Sequence, residues 1–209
     1  MSTRLELRTS VRLRLEDSSG TPLYPDATLN DYLAQGLREY GTWAPLLATT
    51  AIAAVAVNST TIALPANVPQ HTITAVRDGA GADVRVMSGR TAYGPDRMVY
   101  HEQAWRIQAG SLRLQRAVGS AEAGTWNVDH LVGRVLVADD VTAQPIEAGD
   151  EPVVIQLAIA QAYEQRAFED YKRGVKSGNR ESAADVRYVA LTMFRLGRRL
   201  GQTTWMDVA

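Results

Sequence analysis

Two rhythms of apolar residues divide the chain. Near the N-terminus Leu7, Val11 and Leu15 recur every fourth position, the spacing of one helical face. Leu5, Leu7, Val11, Leu13 and Leu15 also fall on alternating positions, which suits a strand. Thr3 and Glu6 stand at capping-box spacing, in which each side chain satisfies a free amide of the first turn. Residues 3–17 are therefore read as a helix. A turn at 18–22 follows, and Leu29, Tyr32, Leu33, Leu37 and Tyr40 form the apolar face of a second helix. Thr28 is its expected N-cap, and Gly41 its expected stop.

From about residue 46 to 141 the rhythm shortens. Runs rich in β-branched and aromatic residues alternate with Gly, Pro, Asn and Asp, the texture of short strands joined by turns. Strands are expected at 60–64, 72–77, 83–87, 98–101, 104–108, 111–115 and 134–138. Ala109-Gly110 between two alternating runs predicts a tight hairpin turn. The helical period returns at Asp150-Glu151-Pro152, an acidic residue beside a first-turn proline. This helix carries Ile155, Ile159, Ala162 and Tyr163 and is expected to close near Gly174. A last helix from about 181 to 200 carries Val186, Val189, Ala190, Met193, Leu196 and Leu200. Gly201 is expected to end it and leave a tail with Trp205.

Strands grouped together between helical ends predict an α+β fold. The economical packing is a helical bundle from the N- and C-terminal helices with an inserted antiparallel β lobe. The expected organisation is a helical core of residues 1–45 plus 150–200, a β-rich insert of 46–149, and a C-terminal tail of 201–209.

Composition narrows the classes. With 209 residues and 45% apolar content the chain can bury a sizeable core. A formal net charge of -1 supplies no global attraction to nucleic acid or an anionic membrane. The lack of cysteine excludes disulfides and thiolate metal sites. Arg4, Arg8, Arg12 and Arg14 interrupt the N-terminal residues, so these do not read as a signal peptide. The longest apolar stretch, 51–57, is too short to cross a bilayer.

Little in the sequence signals chemistry. His71, His101 and His130 share no helical i, i+4 spacing, and a metal site needs several convergent donors. Gly79-Ala80-Gly81-Ala82 opens like a phosphate loop but lacks its lysine and following helix, so a β-turn is expected. Asp139-Asp140 could bind a hard cation, yet such loop pairs are usually only solvated. No nucleophile elbow is present. The expectation is a non-enzyme with no cofactor and no metal. Arg195, Arg198 and Arg199 suit the negative end of a helix dipole, and equally a contact with an acidic partner or passing DNA. Trp205 either folds back onto its own helices or anchors an interface.

The stretch 7–45, LRTSVRLRLEDSSGTPLYPDATLNDYLAQGLREYGTWAP, resembles the opening of head-to-tail adaptor (connector, head-completion) proteins of tailed bacteriophages. The similar positions are Val11, Arg12, Leu15, Asp17, Asp26, Leu29, Tyr32, Leu33, Leu37 and Tyr40, with Ala158, Ala162 and Tyr163 in the long helix that follows. The match covers about 40 residues well and the layout loosely, and the large β segment departs from the mostly helical pattern of smaller relatives. The resemblance implies a virion neck protein, assembled in the host bacterial cytoplasm. It implies a ring of copies of the chain, usually twelve, docked on the portal protein and offering a platform to the next neck or tail protein. DNA would pass through the channel without sequence-specific binding, and no membrane is involved. Arg195, Arg198, Arg199 and Trp205 would face the portal, with the β lobe outward or toward the tail. Rival expectations are another neck component (stopper or tail terminator), or a ligand-binding β module with Trp43, Trp105 or Trp126 exposed on one sheet face.

Overall fold

The computed structural model describes residues 2–17, 22–87, 103–174 and 178–206, with side chains in the last segment through residue 196. The fold is α+β, with four helices and two sheets among the described residues. It comprises two compact units, one of residues 1–45 and 133–209, the other of residues 46–132.

The first unit holds the helices. α1 (Arg4–Arg14) begins with the expected reciprocal box. The Glu6 amide donates to Thr3 Oγ1 at 3.3 Å, and the Thr3 amide to Glu6 Oε2 at 2.8 Å. α2 (Asp26–Trp43) starts earlier than Thr28, with Pro25 as N-cap. Proline suits this edge because an amide there would have no intrahelical acceptor. Gly41 does not stop α2, which runs two residues further. Gly41 is needed for closeness instead, since a Cβ there would lie 2.9 Å from the Arg134 amide nitrogen.

α3 (Glu151–Lys172) is the central helix of this unit. Its first half is buried almost all round, at Val153, Val154, Ile155, Leu157, Ala158, Ile159 and Ala160. It packs against α1, α2 and α4 (Asn179–Met206). At Gly36 a Cβ would meet the Ala158 nitrogen at 2.9 Å, so α2 and α3 cross at backbone distance. α4 continues through Gly201 to Met206, so most of the expected tail is helical. One glycine costs a helix only about 1 kcal/mol, too little to end a long one. The core joins Leu7 and Val11 of α1 to Leu29, Leu33, Leu37 and Tyr40 of α2, Val154 and Leu157 of α3, and Ala190 of α4.

Residues 133–149 belong to this helical unit, although their texture grouped them with the strands. The expected strand at 134–138 does not form. Side chains satisfy this backbone in place of a neighbouring strand. The buried Gln144 carboxamide accepts from the Val137 amide at 2.8 Å and donates back to the Val137 carbonyl. The buried Arg134 guanidinium donates to the Ala44 and Pro145 carbonyls and to Glu147 at 3.0 Å, and lies 4.9 Å from the Tyr40 ring centroid.

The second unit contains two sheets. In the first, β1 (Leu46–Val55), β7 (Gly124–Val132) and β3 (Ile73–Arg77) run in the order β1-β7-β3, both pairs antiparallel. In the second, β2 (Thr61–Ala63), β6 (Ser111–Leu114), β5 (Ala104–Gln108) and β4 (Arg85–Val86) run in the order β2-β6-β5-β4. The β4–β5 pair is parallel, an exception to the expected antiparallel lobe. The two longest strands, β1 and β7, were not foreseen. β1 alternates half-buried and exposed residues over Leu46–Ala53, but its alanines and threonines blur the apolar-polar contrast. In β7 the polar Asp129 and His130 are buried among apolar residues. Trp126, Val128, Trp105, Leu112 and Val76 form a separate core. The Ala109-Gly110 turn forms as expected, with φ of 49° and 79°, the doubly positive geometry of a tight hairpin. The expected strand at 98–101 lies outside the described residues.

Candidate interaction surfaces

The fold ties down most of the arginines of α1. Arg4 donates to Asp140 at 2.7 Å, Arg8 to Asp140 at 3.2 Å, and Arg12 to Asp17 at 2.8 Å and Asp26 at 2.6 Å. Asp17 also accepts from the Leu23 and Tyr24 amides, at 2.5 and 3.1 Å, so it fixes the entry to α2. Arg14 is exposed and has no ion pair among the described residues.

The same network answers the possible cation site at Asp139-Asp140. The Arg4 guanidinium, and then that of Arg8, hold the Asp140 carboxyl below its ordinary range. Asp139 accepts from the Val141 and Thr142 amides, at 3.0 and 2.5 Å. Among the described residues no three His, Asp or Glu side chains converge on a metal position. The Gly79–Ala82 segment is a turn held by Asp78, whose Oδ1 accepts from the Ala80 and Ala82 amides at 3.0 and 2.9 Å.

His71 lies exposed in a short 3-10 turn (Gln70–Thr72), and His101 lies outside the described residues. His130 is 2% exposed on β7. Its Nε2 meets Thr50 Oγ1 at 2.9 Å, while Nδ1 has no hydrogen-bond partner among the described residues. The adjacent Asp129 is held by Thr49 at 2.6 Å and by Arg77. These groups tie β1, β7 and β3 together.

A cleft of about 570 Å³ opens in the helical unit between the start of α2 and the end of α3. Tyr24 and Tyr32 meet edge-on in it, with ring centroids 6.0 Å apart. Burial raises both phenols, Tyr32 to about 12, so both stay protonated at neutral pH. The remaining described lining mixes Arg166 and Arg173 with Asp31, Glu169 and Asp170.

Of the portal-facing residues expected from sequence, Arg195 is exposed on α4. Arg198, Arg199 and Trp205 fall within the α4 helix, and their side chains lie outside the described residues. Trp105 and Trp126 are buried in the core of the β unit, 4% and 0% exposed. Trp43 lies in the helical unit against Phe194. The exposed tryptophan face that a ligand-binding β module would show is not formed by these three.

A different surface was missed from sequence. The apolar residues of α4 divide between two faces. Val186, Ala190 and Phe194 pack on the helical core, and Ala183 is buried. Val189, Met193 and Leu196 stay 41%, 40% and 52% exposed. Their spacing of four then three residues is a heptad seam, the pattern by which one helix receives another. Leu5 and Leu13 on α1 are also exposed, at 48% and 71%. Read as one stripe, α4 conceals this second face.

No helix among the described residues is long and apolar enough to cross a membrane. No protein-family model matches the chain, and no curated protein matches it.

Proposed function

We propose that the chain is a structural, non-catalytic assembly subunit whose work is done by its surfaces. The observation that carries this reading is the partly exposed apolar residues on two helices of the helical unit, Leu5 and Leu13 on α1 and Val189, Met193 and Leu196 on α4. Partly exposed apolar positions gathered on a helix face are interaction sites when they form a continuous patch. The ionisable groups described above act as braces for turns and helix ends, which suits a scaffold better than a reaction centre.

The particular assembly we propose is the neck of a tailed-bacteriophage virion, with this chain as the head-to-tail adaptor. Copies would form a ring, twelve by the family resemblance, dock on the portal and extend the DNA channel toward the tail. The helices would form a bundle serving as the wedge of the ring, with the β unit inserted in it. Near-neutral charge suits a channel component that must let DNA pass, since tight phosphate binding would stall it. Arg195 is exposed on α4, and Arg198, Arg199 and Trp205 follow it along that helix. We assign these four to the portal contact.

The test is to mix the purified chain with a portal ring and count subunits by native mass spectrometry or electron microscopy. Twelve copies per portal are expected, with monomers or weak oligomers when the chain is alone. Deleting residues 202–209 should leave the circular-dichroism spectrum nearly unchanged and weaken docking. No association with any portal ring, at micromolar concentrations of both, would overturn the adaptor reading.

A further inference from the structure

We propose that β1 is the contact by which two copies of the free chain pair, edge to edge and antiparallel, about a two-fold axis. This stands apart from the ring reading above. β1 is an edge strand, hydrogen-bonded only to β7. In an antiparallel ladder alternate residues turn their amides and carbonyls away from the partner strand. Among the described residues no backbone bond reaches that outward row of β1. The strand is ten residues long, LLATTAIAAV, with no charged residue and no proline, which are the usual devices against edge pairing. Its bulge lies at the far end, between Ile52 and Val55, with Ala54 at φ 56°. Residues 46–52 stay regular.

An open row of main-chain groups is satisfied by another strand, and the other edges of the chain select which. β3 has five residues, and its outer side is already taken. The Val84 amide donates to the Val76 carbonyl at 2.8 Å, and the Asp78 amide to the Ala82 carbonyl at 3.0 Å. β2 and β4, at the edges of the second sheet, have three and two residues. Among the described strands at a sheet edge only β1 matches β1 in length. A patch that meets its own copy closes as a pair. The regular stretch is centred on Thr49. Pairing about that residue sets Leu46 against Ile52 on the half-buried face, and Leu47 against Ala51 on the exposed face. Apolar then meets apolar across the new ladder, and Leu47, 65% exposed on its own, is covered. One strand pair buries less than the about 1,000 Å² of a stable interface, so the pairing is weak.

Sedimentation velocity of the full chain at about 100 µM should show dimers that dissociate on dilution, as a small interface requires. A chain that stays monomeric there overturns the proposal and leaves the edge to a foreign strand, and open-ended oligomers overturn the two-fold. Residues 47 and 51 lie about 13 Å apart along one strand, so charges placed there meet only across the pair. Leu47→Lys/Ala51→Lys sets like charges opposite each other and should abolish the dimer. Leu47→Lys/Ala51→Glu sets opposite charges at the same two contacts and should keep it. Equal behaviour of these two variants, with unchanged circular dichroism, overturns the register. The chain has no cysteine, so introduced thiols report the same contact. Mild oxidation of Leu47→Cys/Ala51→Cys should give a covalent dimer on a non-reducing gel. Either single variant should stay unlinked, because its thiols would lie about 13 Å apart across the axis, beyond disulfide reach. Efficient linkage of a single variant overturns the centring on Thr49.

Discussion

Replacing Arg134 with methionine tests why residues 133–149 fold with the helices. The side chain is 3% exposed and donates from Nε to the Ala44 carbonyl, from Nη1 to the Pro145 carbonyl and from Nη2 to Glu147. Methionine keeps most of the stem volume, so the cavity term stays small. Two hydrogen bonds from a charged donor to carbonyl oxygens contribute about 1.5 kcal/mol each. The Glu147 pair adds about 0.5 kcal/mol, because that carboxylate is 44% exposed and screened. The stacking over Tyr40 adds about 0.5 kcal/mol. The sum is about 4 kcal/mol. With a urea slope of about 2 kcal/mol/M, the midpoint followed by circular dichroism at 222 nm should fall by about 2 M. Lysine at the same place keeps the charge, but one ammonium cannot reach three acceptors set apart like this, and an intermediate loss is expected. A methionine variant whose midpoint moves by less than about 0.3 M would show that Arg134 does not hold this segment.

Three further outcomes follow from the packing. Gly36→Val should destabilise the helical unit by about 1–3 kcal/mol, because the α2–α3 crossing has no room for a Cβ; thermal unfolding by circular dichroism measures it, and an unchanged midpoint would contradict the close crossing. Asp78→Ala should cost the β unit about 1–2 kcal/mol by freeing the Ala80 and Ala82 amides, seen as earlier unfolding by tryptophan fluorescence. Thr49, and then Arg77, hold Asp129 below the usual carboxylate range, and Arg116 does the same for Glu122. Their folded values lie below the unfolded ones, so this stabilisation is complete above pH about 5 and lost as pH falls through the lower folded values; Asp129→Asn should flatten the acid limb of a stability-against-pH profile, and an unchanged limb would refute the assignment.

Period and capping made the helices legible, because a helix is specified by neighbours three and four residues away. Thr3, Glu6 and the acidic-proline start at residues 150–152 mark two ends from sequence alone. The short hairpin at Ala109-Gly110 was equally local. What escaped is non-local. β1 and β7 pair across about 80 residues, and alanines, threonines and buried polar groups hide their alternation. Arg134 is seen as structural only when Tyr40, Ala44 and Pro145 close around it. The stripe of α4 carried enough apolar residues for two faces, and only its packing on α3 decided which face is core and which stays exposed. Sequence thus determined where the backbone would coil and the broad α+β class. Tertiary structure decided which charges brace the fold and which apolar residues stay uncovered, because both depend on what long-range folding brings to each side chain.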